Sequence, residues 1–534
     1  MSFTSAWYLL FIAIVFVLYY ALPKKYQWGV LLASSLVFYL IAGFTYFIYL
    51  VASILITYFV GLFIDLMNKK QEKEISLKEN ITKEEKKSIK KAYNTKKSWI
   101  LAAGIILNLG ILLVVKYIDF ICGNVVSLLN LMGVNLSWNE LNFVLPLGLS
   151  FYTFQSIGYC IDVYRGTIEA EKDLFKYALF ISFFPQILQG PIGRYNTLSP
   201  QLLQEHKLNY DNVFEGTQRI ILGYFKKIAI ADFVGIFVND VFANSANAFG
   251  IVGVLGAIGY AIQLFADFSG FMDIALGSAK LLGINLDENF DRPYLSKTIP
   301  EYWRRWHISL GAFFRDYVYY PLLRSKLCTK LLKSKHKKLG SIIATSLSLF
   351  VTWFLIGLWH GASWTYVFHG IFYGLIIISG LILEPIYKKI KEVLHISNTN
   401  KVFNCFQVLR TMTIVCFGYI LFRSTSLSNF ASYITAVFSG SGINEFVSFK
   451  TIFNSEIVNI YIYWAQIIIL CVVWGVMNHQ FIDSKSLPVD DVRVSIWRKQ
   501  ATLNCIIMIV ITIASFILVK SLGGQTGGFI YFDF

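Results

Sequence analysis

Apolar positions along this chain gather into long unbroken runs instead of alternating with polar ones. Trp7–Leu22, Tyr46–Leu66, Trp99–Val115, Gly340–Leu358, Thr365–Leu383, Ile457–Val476 and Leu503–Val519 each hold about 16 to 21 residues. A helix of that length crosses, or nearly crosses, the roughly 30 Å of hydrocarbon in a bilayer. The short alternating segments of a transmembrane barrel do not occur. The pattern predicts an all-α polytopic membrane protein. No internal repeat of fixed period is visible.

Composition agrees. The 534 residues are 56% hydrophobic and 15% charged, well below the roughly 25% charged residues of an ordinary soluble domain. The formal net charge of +15 points to loops rather than to nucleic acid, because the lysines and arginines cluster between apolar runs as the positive-inside rule requires. The seven cysteines, Cys122, Cys160, Cys328, Cys405, Cys416, Cys471 and Cys505, show no metal-ligand spacing and read as small buried hydrophobes.

Charge also sets the expected domains and orientation. Residues 1–66 form the first spans, and the first run, with Lys24 and Lys25 behind it and no basic segment before it, reads as a retained span with an external N-terminus. Residues 67–98 form a lysine-rich cytoplasmic insert, solvated and partly helical. Residues 99–390 form the core, and residues 391–534 the last spans and an aromatic tail. The basic clusters Arg324 to Lys338, Lys388 to Lys401 and Arg493 to Lys499 belong inside a plasma membrane, which leaves the C-terminus outside. On this walk His307 lies near the internal face and His360 at the outward end of the next span. If the two cooperate, the chain around one of them must bend or dip, and non-helical backbone at that depth must be buried in protein or line a cavity. Pro293, Pro300 and Pro321 punctuate the segment around His307 accordingly.

Three stretches carry candidate chemistry. The first, EYWRRWHISLGAFFRDYVYYPL (Glu301–Leu322), reads as a helix from about Pro300 to Tyr320. Trp303, Trp306, Leu310, Phe313 and Tyr317 then share an aromatic stripe suited to packing. Arg304, Ile308, Gly311 and Arg315 share a second face, and Arg305, Ser309, Ala312 and Asp316 a third. An arginine at the bilayer centre costs about 2.5–3.5 kcal/mol on insertion scales. Arg304 and Arg305 therefore either snorkel to the cytoplasm or receive phosphate groups from a cytoplasmic donor. The second stretch, TWFLIGLWHGASW, puts His360 between Gly357 and Gly361, whose lack of bulk would let a substrate near the ring. An imidazole there is either a structural hydrogen-bonding group or a base for a hydroxyl nucleophile. The third, QLFADFSGFMDIALG, places Asp267, Ser269 and Asp273 in an apolar span, where the carboxylates pair with cations or orient an imidazole. No phosphate-binding GxxxxGK, HExxH or GxSxG motif occurs, which removes support for ATP-driven pumping, zinc hydrolysis and α/β-hydrolase chemistry.

From about Pro146 to Gly374 the chain resembles the bacterial membrane-bound O-acyltransferases, in the branch of alginate and peptidoglycan O-acetyltransferase membrane subunits. The blocks SFYTFQSIGYCIDVYRG, FFPQILQGPIGRY, FADFSGFMDIALG, ENFDRPYLSKTIPEYWRRWHISLGAFFRDYVYYPL and LWHGASW carry the resemblance. It implies a ring of tilted transmembrane helices with re-entrant segments around a thinned centre, where funnels from both faces meet at His360, with His307 as the second, internal histidine. It further implies an acyl group taken from a cytoplasmic thioester, commonly acetyl-coenzyme A, and delivered outside to a polysaccharide. No bound cofactor or metal is implied. Delivery would involve an extracytoplasmic SGNH-like acetyltransferase or a small membrane partner. Arg304, Arg305, Trp306, Arg315, Asp316 and Trp359 make up the candidate donor and substrate contacts, and Asp267, Ser269 and Asp273 the supporting set.

The run PLLRSKLCTKLLKSKHKK after the RDY segment is a departure closer in texture to D-alanyl transfer proteins of teichoic acid synthesis, so a D-alanyl carrier is the alternative donor. The tail GGFIYFDF offers Tyr531 as an acyl relay or partner dock, against simple interfacial anchoring. Two other classes compete. A transporter or flippase would show repeated halves. A bis-histidine haem protein would need facing histidines, whereas His360 and His369 on one helix would point apart.

Overall fold

A computed structural model describes residues 3–78, 81–141, 143, 146, 148–187, 190–397, 399–443, 460–484 and 492–521. Among the described residues every regular element is a helix, and the one strand-like feature is an isolated antiparallel bridge between Phe290 and Trp306. In chain order come α1 (Ala6–Ala21), α2 (Gln27–Ala42), α3 (Phe44–Ser76) and α4 (Lys83–Leu112). A π-helical turn, Leu113–Tyr117, joins α4 to α5 (Ile118–Leu131), and α6 (Leu149–Arg165) follows. The short helices α7 (Leu174–Ser182), α8 (Phe184–Ile187) and α9 (Tyr195–Leu203) lead to α10 (Tyr210–Tyr224). A second π-helical stretch, Phe225–Asp232, connects α10 to α11 (Phe233–Ala243), and the long α12 (Gly250–Leu281) returns across them.

The middle of the chain then breaks into short pieces. These are α13 (Ile299–Arg305), α14 (Ile308–Phe314), a π-helical turn Arg315–Tyr319, α15 (Tyr320–Leu323) and α16 (Lys326–Leu332). Long helices resume with α17 (Lys337–His360), α18 (Trp364–Val393), α19 (Lys401–Arg423) and α20 (Leu427–Phe438), and end with α21 (Ile460–Ser484) and α22 (Val492–Ser521).

Eight helical stretches among the described residues are long and apolar enough to cross a membrane: Lys24–Ala42, Phe44–Ser76, Lys83–Leu131, Gly250–Leu281, Lys337–His360, Trp364–Val393, Lys401–Arg423 and Gln500–Ser521. The polytopic helical architecture expected from the apolar runs is the one observed. The first apolar run becomes α1, 16 residues long, which at 1.5 Å per residue nearly crosses the bilayer core, as its length predicted. One detail differs. The α2 span escaped the apolar count because Gln27, Ser34 and Ser35 dilute it, yet all three are buried against neighbouring helices. Gln27 donates through Nε2 to the carbonyls of Tyr19 and His206, so its amide is satisfied inside the protein.

The lysine-rich insert is mostly helix. α3 runs on to Ser76, and α4 restarts at Lys83 behind a capping box in which Thr82 and Glu85 satisfy each other's backbone donors. Lys97, buried, donates to Asn68 Oδ1 and Gln71 Oε1 at 2.9 Å each, tying the two helical extensions together.

Glycines permit the closest crossing. A Cβ on Gly223 would lie 2.6 Å from the Gly270 carbonyl oxygen, and one on Gly277 would lie 2.7 Å from that of Gly216. Helices α10 and α12 thus cross backbone to backbone through two seven-residue glycine pairs. Small residues let helices pack this closely where lipid gives little hydrophobic drive for association.

Candidate active site

The segment predicted as one helix from Pro300 to Tyr320 is instead broken at its centre. Helix α13 ends at Arg305, and His307 takes a left-handed backbone conformation (φ 48°) before α14 begins at Ile308. A non-glycine residue there is uncommon and needs support from its surroundings. Asn289 supplies it. Its carbonyl accepts from the Ile308 N–H (3.0 Å), and its side-chain Oδ1 accepts from the Ser309 N–H (2.8 Å). These are leading donors of α14 that lack partners within the helix. The Asp291 N–H reaches the Arg305 carbonyl at 3.0 Å, completing a clasp between residues 289–291 and 305–309.

The break undoes the expected faces. Trp306 and His307 are buried, whereas Arg304 and Arg315 are exposed. Arg305 pairs with Glu301 at 2.8 Å. Asp316 pairs with Arg194 and, at 2.8 Å, with Arg315.

His360 is the last residue of α17. Gly361 and the two residues after it turn the chain, and Ser363 caps α18 by accepting from the Thr365 N–H. Helices α17 and α18 then pack as an antiparallel pair, with a Cβ on Gly357 meeting the Tyr366 carbonyl at 2.5 Å and the Gly370 backbone at 2.9 Å. The space beside Gly361 is taken by the Tyr366 ring in the same way. The glycines flanking His360 thus admit α18, and the expectation that they clear room for a substrate is corrected. The turn also places His369 on a different helix from His360, with ring centroids 5.9 Å apart, so the two do not point oppositely along one helix as expected. Trp303, Tyr373 and Phe422 crowd the His369 ring at 6.3, 4.9 and 5.1 Å.

Two residues that the sequence reading passed over hold the end of α17. The Lys116 ammonium donates to the carbonyls of Trp359 (3.1 Å) and His360 (3.0 Å), and the Tyr117 hydroxyl donates to that of Leu358 (2.7 Å). A helix C-terminus leaves its last carbonyls without partners and carries partial negative charge, so a half-buried cation fits it well. The signal was a single lysine ending the apolar run ILLVVKY, at the point where the helix widens into its π-turn.

The break and the end of α17 meet at one cavity of about 410 Å³. Arg304, Trp306, His307, Arg315, Trp353 and His360 are among its lining residues. The exposed arginines mark its mouth, and the two buried histidines line its interior. Trp359 bridges the imidazoles from behind, with centroid distances of 6.1 Å to His307 and 4.9 Å to His360, and stacks on Phe154.

The supporting set lies elsewhere. Asp273 binds Lys226 (2.5 Å) and Arg219 (3.0 Å), and Asp267 binds Lys227 (2.6 Å), which also reaches Asp232. Their role is ion pairing among α10, α12 and the intervening π-stretch. Ser269 lines a separate cavity of about 560 Å³, together with Asp273 and Asn289. Among the described residues no cluster of three or more histidine, cysteine or acidic side chains could hold a metal. Tyr531 lies outside the described residues.

Comparison with known proteins gives the family. Residues 170–426 match the model of the membrane-bound O-acyltransferase family. A probable alginate O-acetylase AlgI of Azotobacter vinelandii is 31% identical over 431 residues, covering 80% of this chain and 76% of that protein. Its namesake in Pseudomonas syringae pv. tomato is 35% identical over 342 residues, 64% of this chain. A peptidoglycan O-acetyltransferase of Helicobacter pylori is 31% identical over 376 residues, 65% of this chain and 62% of its own length. The match spans 60% of the length of the Pseudomonas protein. The chain belongs to the membrane-bound O-acyltransferase family.

Proposed function

We propose that this protein is an O-acyltransferase that takes an acyl group, acetyl in the first instance, from a cytoplasmic thioester. It passes the group across the membrane to hydroxyls of a cell-wall or extracellular polysaccharide. The single observation that carries the reading is the shared cavity: His307 and His360, 53 positions apart in the chain, line one 410 Å³ space with arginines at its mouth. The names of the relatives, which act on alginate and peptidoglycan, support an acetyl donor and a polysaccharide acceptor.

In this account the thioester enters from inside, its phosphates held by Arg304 and Arg315 and its acyl end lying near His307. Guanidinium groups suit phosphate because they present several fixed donors at once. The acceptor hydroxyl arrives from the opposite face, and His360 takes its proton as the oxygen attacks the thioester carbon. The carbon–sulfur bond breaks, and the proton passes from His360 to the departing sulfur, leaving an ester outside and a free thiol inside. The thioester itself supplies the driving force, so no nucleotide hydrolysis is required. Trp306 walls the site, Trp359 packs against both imidazoles, and Arg305 and Asp316 hold its backbone and arginines in place through their ion pairs. A secreted SGNH-like transferase or a small membrane partner completes delivery, with Tyr531 in the external tail as its dock or as a brief acyl carrier.

The test compares ester-linked acetate and D-alanine on wall and extracellular polysaccharides in cells carrying the intact protein or His360→Ala. Loss of acetate alone, with the variant still inserted in the membrane, is the expected outcome. Loss of D-alanine instead would move the donor to a D-alanyl carrier, and unchanged levels of both would remove His360 from the reaction.

A further inference from the structure

The bond between Asn289 and His307 bears on how the second imidazole works, and the inference drawn from it rests on the acyl-transfer reading above. Asn289 Oδ1 is committed to the Ser309 N–H at 2.8 Å. Turning the amide over would set a second donor against that N–H, so the orientation follows from the hydrogen-bond network. Asn289 Nδ2 therefore faces His307 Nδ1 at 3.1 Å, closer than the 3.4 Å from that nitrogen to Oδ1. An amide nitrogen donates only, so Nδ1 must be the acceptor of this pair. The ring proton is then on Nε2. Nε2 is buried without a hydrogen-bond partner among the described residues, and the ring lines the cavity that it shares with His360.

We propose that Asn289 is a positioning residue that fixes His307 as its Nε2–H tautomer, so that the second histidine acts by donating a hydrogen bond and not as a base. The atom it serves is the thioester carbonyl oxygen, which gains negative charge as the acceptor oxygen attacks. The Nε2 proton stays on the ring throughout. The proton that moves is the acceptor's, taken and then returned to sulfur by His360, so the step balances with one base and one donor. A neutral imidazole can polarise a carbonyl in this way, and a fixed donor aimed at a developing oxyanion is worth far more in a dry site than in water. Asn289 also holds the left-handed turn at His307 through its backbone carbonyl, so one residue sets both the position and the tautomer of the ring.

Three variants in the full-length protein, reconstituted in lipid nanodiscs, test this. His307→Ala should lower acyl transfer from acetyl-coenzyme A by about 10²–10³-fold, the usual cost of one oxyanion donor. His307→Gln keeps an N–H donor and should recover about tenfold or more of that loss. In Asn289→Asp the carboxylate still accepts from Ser309 but draws the imidazole proton to Nδ1. Transfer should then fall as far as in His307→Ala while the protein stays folded. Nitrogen NMR of histidine-labelled protein reads the tautomer without turnover, the His307 signal being the one lost in His307→Gln. Protonated Nε2 in the intact protein and protonated Nδ1 in Asn289→Asp are expected. Protonated Nδ1 in an active intact protein overturns the inference and leaves the acyl-transfer reading standing, as does a His307→Gln variant no better than His307→Ala. Intact protein that releases no thiol from acetyl-coenzyme A overturns the acyl-transfer reading, and with it the catalytic part of the inference.

Discussion

Two regions of this protein bury ionisable side chains, and they do so in opposite ways. Between α10 and α12, each buried charge is closed off by another: Lys226 and Arg219 by Asp273, Lys227 by Asp232 and Asp267. At the break between α13 and α14, His307 is bonded on one side only, and with His360 it lines an open space. In the amino-acid sequence both regions look the same, as titratable residues in oily surroundings. What separates structure from chemistry is whether a buried group is paired by side chains of the protein, as Asp273 is even where it lines a cavity, or leaves an atom that something else must meet. Removing one member of a closed pair strands a charge, so that region should answer mutation through stability. The open region should answer through rate.

The largest effect is expected where a pair is broken. Lys227→Met leaves Asp232 and Asp267 buried together and should cost about 3–5 kcal/mol, read as a lower unfolding temperature in detergent. A variant that melts like the parent would mean that the α10–α12 ladder is not what holds this half together. A smaller effect, of both kinds, is expected at Lys116. Lys116→Met deprives the His360 carbonyl of its Lys116 donor and leaves that of Trp359 only the longer bond from Tyr117, at a cost of about 1–3 kcal/mol, and should slow transfer because His360 loses its anchored position. Unchanged transfer with lowered stability would assign Lys116 to the closed class. The smallest effect is expected at the mouth of the cavity. Arg304→Ala should raise the KM for the thioester about tenfold with kcat held, as the loss of roughly 1.4 kcal/mol of uniform binding would do. A fall in kcat at constant KM would show that the arginine acts on the reacting atoms instead.

Much of the architecture was legible because hydrocarbon forces long apolar runs. Gly340–Leu358 and Thr365–Leu383 fall inside α17 and α18, and the charged insert folds as the solvated ends of α3 and α4. Periodicity failed at His307. The residues from Pro300 to Tyr320 keep helical spacing throughout, and what interrupts them is Asn289, supplied from a separate part of the chain. No local pattern can announce a partner that arrives by tertiary folding. The same holds for Lys116, which caps a helix more than 240 positions away. His360 and His307 could be singled out because a histidine in such surroundings is rare. Their meeting at one cavity is not written in the residues; the family resemblance implied it, and tertiary folding brings it about.

The claim that these two imidazoles serve one reaction is tested most directly by a double-mutant cycle. Acyl transfer from acetyl-coenzyme A is measured as kcat/KM for the intact protein, His307→Ala, His360→Ala and the double variant, all reconstituted in the same lipid. Groups that act as a unit are not additive, so the double variant should lose little more than the worse of the two single ones. A double variant whose loss equals the product of the two single fold-losses would contradict the account, because the histidines would then be acting independently.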